Sequence, residues 1–232
     1  MNTELVVASV SGGVALLSVL ISVRASRRQV LLSAELDRRD VMSRRRDPLL
    51  WAAFDLQSRL HNIVERGFLP FCYQDETGRD REYARRSTLH ILGEYLGQVE
   101  ILRQRIQFLD LGKRRHNRAV VERFTAIATV LNEDGGYGDR HFRIFRSDQR
   151  ALGEIMIKED GESCLGYAEF CRRLDDDPEF AAWFHPVLES LDAQARTPEP
   201  HRRLRDLQLA LVELIDLLDP NGDQFPDRPR VR

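Results

Sequence analysis

Leu5 to Val23 is a run of nineteen residues without a charge, LVVASVSGGVALLSVLISV, and eleven of them are Leu, Ile or Val. As a helix rising about 1.5 Å per residue it reaches about 28 Å, close to the ~30 Å hydrocarbon thickness of a bilayer. At roughly −0.3 to −0.6 kcal/mol for each Leu, Ile or Val, insertion is favoured by about 3–6 kcal/mol before corrections for Ser and Gly. A cleaved signal peptide needs a basic start and a small-residue cleavage site. Here the run is preceded by Met1-Asn2-Thr3-Glu4, and the positive charge lies on its far side. Residues 24–46 carry eight arginines against Glu35, Asp37 and Asp40, a net of +5. The positive-inside rule then predicts a single-pass cell-membrane protein with residues 1–4 outside and everything after the span in the cytoplasm. Ala8/Gly12, Ser9/Gly13 and Ser11/Ala15 place small residues four apart, a spacing that lets two such helices approach as a homodimer.

No Gly or Pro other than those at Gly12, Gly13 and Pro48 interrupts the first 48 residues, so the spacing predicts that the membrane helix continues through 24–46 as an arginine-rich stalk. Each arginine near anionic lipid adds about 1 kcal/mol, within a Debye length of roughly 8 Å. Arg24, Arg27 and Arg28 fall in that reach and are the expected lipid-facing residues, which makes membrane lipid a partner of residues 5–28. Arg44, Arg45 and Arg46 would stand about 30 Å from the headgroups on an upright helix. The chain's net charge of −2, and the absence of aromatics among those arginines, argue against a nucleic-acid partner.

The remainder, 47–218, reads as one all-α cytoplasmic domain. The chain is 42% hydrophobic, enough to build a core and to exclude wholesale disorder. Asp47-Pro48 marks a helix start, and apolar residues recur near every 3.6 positions to about Gly67. FLPFCYQDETG, with Pro70, reads as a loop before a long helix from Arg79 to about Leu109. In that helix Gly93 and Gly97 weaken propensity and suggest a close helix crossing. Further helices are expected at Lys113–Asn132, Asp148–Ile157, Ser163–Leu174, Pro178–Ala193 (interrupted near Pro186) and Glu199–Leu218. Ser163 and Asp177 are the natural caps, HFRIF is a short extended piece, and 219–232 is a loose Pro/Arg tail.

Candidate chemistry is sparse. His61/Glu65 and His90/Glu94 have i, i+4 spacing, so each pair faces one way on a helix. Packed antiparallel, they would offer four metal ligands, although a carboxylate-bridged bundle site uses Glu-x-x-His instead. Cys164 and Cys171, seven apart, read as core on one helix face, the alternatives being a redox sensor or partial metal ligation with His185; Cys72 lacks a His–acid context that would make it a nucleophile. Gly135-Gly136-Tyr137-Gly138 lacks the lysine and the strand–helix setting of a phosphate loop and reads as a turn. Arg140, Arg143, Arg146 and Arg150, with His141, form a basic stretch suited to an anion. No serine-hydrolase, zinc-protease, deaminase or kinase motif is present, and no cofactor is expected.

REYARRSTLHILGEYLGQVEILRQRIQFLDLG (Arg81 to Gly112), with DPLLWAAFDLQSRLHNI before it and FRSDQRALGEIMI after it, resembles uncharacterised bacterial proteins that have one N-terminal membrane helix. The likeness covers most of 47–220. It implies a single-pass anchor with a cytoplasmic helical domain and supplies no active site. The expected function is therefore a membrane-anchored interaction or regulatory module with an unidentified protein partner. The alternative is a metal- or nucleotide-dependent enzyme built on His61, Glu65, His90 and Glu94.

Overall fold

The structure is a computed structural model that describes residues 27, 46–106, 114–133, 136–137, 140–197 and 202–225. The chain divides into two compact units, Met1–Arg44 and Arg45–Arg232. In the first, Arg27 is an exposed residue in helical conformation. The expected membrane span Leu5–Val23, its flanking Arg24 and Arg28, and the rest of the stalk to residue 45 lie outside the described residues. Among the described residues no helix is long and apolar enough to cross a membrane.

The described part of the second unit is all-α. Its helices are α1 (46–65), α2 (Phe68–Tyr73), α3 (Arg79–Ile106), α4 (Arg114–Asn132), α5 (Arg146–Met156), α6 (Tyr167–Asp176), α7 (Pro178–Arg196) and α8 (Arg202–Leu218). The α3 helix packs against α2, α5, α6 and α7, while α4 lies along α8. Leu89, Leu92, Tyr95, Leu96, Ile101 and Leu102 of α3 are buried, as are Leu204, Leu207, Leu211, Leu214, Ile215 and Leu218 of α8. At about 1.5–3 kcal/mol for each fully buried large apolar side chain, these faces supply the drive for assembly.

The expected close crossing is present, and its partner is a third glycine. A Cβ on Gly97 would lie 2.5 Å from Cys164 Sγ and 3.2 Å from Met156 Cβ. One on Gly153 of α5 would lie 2.7 Å from the Leu96 carbonyl oxygen. Bare backbone on both helices is what lets α3 and α5 touch.

Several expected boundaries move, each for a local reason. FLPFCY is helix, not loop: Pro70 occupies the first turn, where its missing N–H has no intrahelical partner to lose. Gly67, at φ 64°, makes the left-handed turn between α1 and α2. Helix α1 is already formed at Arg46, so Asp47-Pro48 does not start it. Helix α7 runs through Pro186 to Arg196 without a break, and the carbonyl the proline frees belongs to the exposed Ala182. Asp177 caps α7 as expected, accepting from the backbone N–H groups of Glu179 and Phe180. Ser163 caps nothing: its N–H and hydroxyl both go to Asp160, an antiparallel bridge joins Ile157 to Cys164, and α6 begins only at Tyr167.

The segment after α8 is folded as far as Phe225. Asp219 is fully buried and accepts from the N–H groups of Asp223 and Phe225. Phe225 stacks on Phe54 with centroids 3.9 Å apart and meets Trp51 edge-on at 4.6 Å. Arg46, expected in the stalk, donates from Nε to the Leu218 carbonyl at 2.6 Å and sits 4.0 Å from Asp219. It thus caps the C-terminus of α8, where a cation is favoured by the helix dipole.

Candidate functional site

His90 on α3 presents Nε2 3.0 Å from the Leu165 carbonyl oxygen. A carbonyl only accepts, so the ring proton belongs on Nε2, and Nδ1 faces Glu94 Oε2 at 3.9 Å. Tyr167 and Phe170 flank the ring edge-on at 5.5 and 5.4 Å. The Glu94 carboxyl is pushed above its usual range by burial and by the nearby Asp55, with His90 opposing. Asp55 is raised as well, by burial, against the pull of Arg59 and His90. The residue of α1 that approaches the His90/Glu94 pair is therefore Asp55.

His61 and Glu65 are not brought to them. His61 lies six residues beyond Asp55, about 240° further round α1, and its Nδ1 accepts from Gln208 Nε2 of α8 at 3.4 Å. Glu65 is an exposed residue at the end of α1. Among the described residues no group of three or more His, Cys, Asp or Glu side chains is arranged to hold a metal ion.

The cysteines are also dispersed. Cys164 precedes α6, so it does not share a helix face with Cys171. Its thiol is pushed up to about 12 by burial and by Glu94, and it accepts from Gln98 Nε2 at 3.5 Å. Cys72 is a buried α2 residue whose thiol is raised, again mainly by burial. A thiol held protonated is a poor nucleophile and a poor metal ligand. His185 is exposed and pairs with Glu189 at 3.6 Å.

The basic stretch after the glycine turn is engaged in structure. Arg143 donates to the Asn132 carbonyl and lies over the Phe145 ring, Arg146 donates to Thr129 Oγ1, and Arg150 reaches Glu154 and the buried Glu100. Arg140 opens and His141 lies within the turn that sets Phe142 at φ 56°, closed by the Arg143 N–H on the Arg140 carbonyl, and the Phe142 N–H donates to Ser190 Oγ.

Two depressions lie on either side of Arg85. The larger, about 570 Å³, runs between α3, α6 and α7, with Leu89, Leu174, Phe184 and Leu188 in its floor and Glu82, Arg86 and Asp175 on its rim. Arg86 grips Asp175 with two bonds of 2.7 and 2.8 Å and Glu82 with one of 2.6 Å, which raises the guanidinium's pKa further above its ordinary value. The smaller, about 430 Å³, lies between α2, α3 and α7 and is lined by Pro70, Tyr73, Gln74, Arg81, Arg85, Asp192, Ala195 and Arg196. Tyr73 donates its hydroxyl to Asp192 at 2.5 Å, and Arg85 Nε sits 3.2 Å from the same carboxylate. Burial, followed by that bond, holds the Tyr73 phenol well above its ordinary pKa, so it remains protonated.

None of these arginines was a sequence candidate. The signal available was the i, i+4 spacing of Arg81/Arg85 and of Asp192/Arg196, but it lies in segments read for their apolar faces. Compared with known protein families, curated proteins and solved structures, the chain has no match.

Proposed function

We propose that this chain is a membrane-anchored helical interaction module, tethered by Leu5–Val23, with its domain in the cytoplasm and without catalysis of its own. The observation that carries the reading is the α3–α6–α7 groove. Leu174 and Leu188 are half-exposed in its floor over the buried Leu89 and Phe184, while Arg86, Asp175 and Glu82 on its rim are bonded to one another. Bidentate pairs such as Arg86–Asp175 hold a surface in shape. A floor of Leu and Phe within a charged rim suits a protein partner that buries apolar side chains and aligns by charge. The anchor rests on the sequence argument: an uncharged run of bilayer length followed by a net positive flank.

Two measurements test it. The full-length chain should sediment with membranes and leave them only in detergent, whereas recovery from the soluble fraction of lysed cells would remove the tether. The binding role is tested with Ala182→Arg, which places a charge on an exposed residue lining the groove. Partners recovered with the wild-type chain should be lost with A182R at unchanged melting temperature. Equal recovery by both chains would overturn the assignment of the groove.

A further inference from the structure

We propose that the cleft between α2, α3 and α7 is a binding site for a phosphate-bearing dianion, held by Arg81 and Arg196 with Arg85 behind them. The inference goes beyond the tethering role and stands whether or not residues 5–23 enter a membrane. Three arginines and one aspartate are among the residues that line the cleft, a formal excess of two positive charges. The carboxylate is already engaged, because Asp192 receives the Tyr73 hydroxyl and the Arg85 guanidinium. Arg85 is in turn shared between Asp192 and Glu82. Arg81 and Arg196 differ from it: both are exposed, and neither makes a hydrogen bond or ion pair with a described residue.

Local structure does not account for Arg81. It sits in the first turn of α3, where the positive end of the helix dipole disfavours a cation. None of the acids around that turn, Asp75, Glu76, Asp80 and Glu82, lines the cleft. Asp75 is taken up by Thr77 and the Asp80 N–H, and Glu82 by Arg85 and Arg86. Arg196 approaches from the other wall, at the last turn of α7.

The chemistry of the ligand follows from the donors. Two planar forks without a partner among the described residues match the oxygens of a phosphate monoester, which accepts several bonds and carries close to two charges near neutral pH. A volume of about 430 Å³ exceeds a bare phosphate, and Pro70 and Ala195 supply apolar wall for an organic substituent. A soluble phosphate monoester and a phosphatidic-acid headgroup share this chemistry.

The test uses the full chain in mild detergent, titrated calorimetrically with inorganic phosphate and, separately, with dihexanoyl phosphatidic acid below its micellar concentration. Saturable one-to-one binding of at least one probe is expected. It should weaken at least tenfold in Arg81→Gln and in Arg196→Gln and stay unchanged in Arg118→Gln, which removes an exposed arginine of α4 paired with Glu122. Binding of phosphate alone assigns a soluble ester, and tighter binding of the lipid analogue assigns the headgroup. No binding of either probe, wild-type affinity in both cleft variants, or an equal loss in R118Q would each overturn the site. Should R81Q also lower the melting temperature, R196Q decides the matter, since its side chain lies exposed at a helix end.

Discussion

The α3–α5 crossing and the α4–α8 junction solve the same problem, bringing two helices together, by opposite means. At the crossing, side chains are removed: Gly97 and Gly153 let backbone meet backbone, and a Cβ on Gly153 would fall 2.7 Å from the Leu96 oxygen. At the junction one long side chain is buried whole. Arg203 of α8 is fully buried and donates to the carbonyls of Val130 at 2.6 Å, Glu133 at 2.7 Å and His141 at 3.2 Å, with Tyr137 lying over its guanidinium at 4.3 Å. Val130 and Glu133 are at the C-terminal end of α4, where carbonyls lack intrahelical partners and the dipole favours a cation. The first device is steric and tolerates nothing larger. The second is electrostatic and fails when its donor is lost.

The largest expected effect tests the second device. Arg203→Ala deletes a fully buried side chain and the donor to three carbonyls on two segments, and should lower the free energy of unfolding by about 2–5 kcal/mol in denaturant titration. Arg203→Lys keeps the charge but loses the planar fork, and should fall between the two. A loss below about 1 kcal/mol in R203A would mean that α4 and α8 are held by their apolar faces alone, and the contrast would disappear.

The next effect tests the first device and carries an internal control. Gly153→Ala gains about 1 kcal/mol of helix propensity but drives a methyl into the Leu96 backbone, where overpacking costs about 1–3 kcal/mol. Because the atom it meets is main chain, the cost should lie towards the upper end and the net should be destabilising, by up to about 2 kcal/mol. Gly93→Ala meets Met156 Sδ at 3.0 Å and Cγ at 3.1 Å, the outer part of a flexible side chain. Its propensity gain should about cancel the crowding, leaving unfolding near the wild-type value. Equal losses in the two variants would show that side-chain compliance is not what distinguishes these positions.

The same contrast explains what was legible in the sequence. Glycines inside an apolar helical pattern are visible, and Gly93 and Gly97 signal a close crossing because nothing else explains them in a helix. Periodicity likewise shows the apolar faces of α3 and α8. Arg203 is invisible to such reading: in a run of Arg202, Arg203 and Arg205, one arginine is fully buried and pattern does not distinguish it. Its role depends on where α4 ends, a tertiary fact. Arg46 escapes notice in the same way, as one of three consecutive arginines that happens to meet the end of α8. His61 fails in the opposite sense. The i, i+4 rule correctly puts it on one face with Glu65, but the rotation of α1 that turns Asp55 towards His90 turns His61 towards α8. The cleft arginines were hidden because 68–78 reads as a loop around Pro70, so the wall made by Pro70, Tyr73 and Gln74 was not foreseen.

The smallest effect separates the two regions by pH. Glu100 lies buried beside the α3–α5 crossing; burial alone would raise its pKa, but the bonds from Arg103 and Gln104, with the Arg150 charge, bring it below the ordinary value. Two exposed carboxylates in the loops next to these helices are lowered as well. Asp75, before α3, is held at about 2 first by Thr77, and Asp160, in the loop after α5, at about 2 first by Ser163. A folded pKa below the unfolded one gives stability that is present above the unfolded value and is lost as pH falls through the folded value. These three contributions are complete above about pH 4.5 and fade towards pH 2. Arg203 keeps its charge throughout that window, so its bonds to the carbonyls of Val130, Glu133 and His141 do not change. Hydrogen exchange, corrected for the intrinsic rate at each pH, should therefore show α5 losing protection before the N-terminal half of α8 on acidification. Glu100→Gln should remove much of that pH dependence from α5 and lower its protection at neutral pH. Simultaneous loss of protection in both helices would mean that the domain opens as one unit, with no acid-labile side.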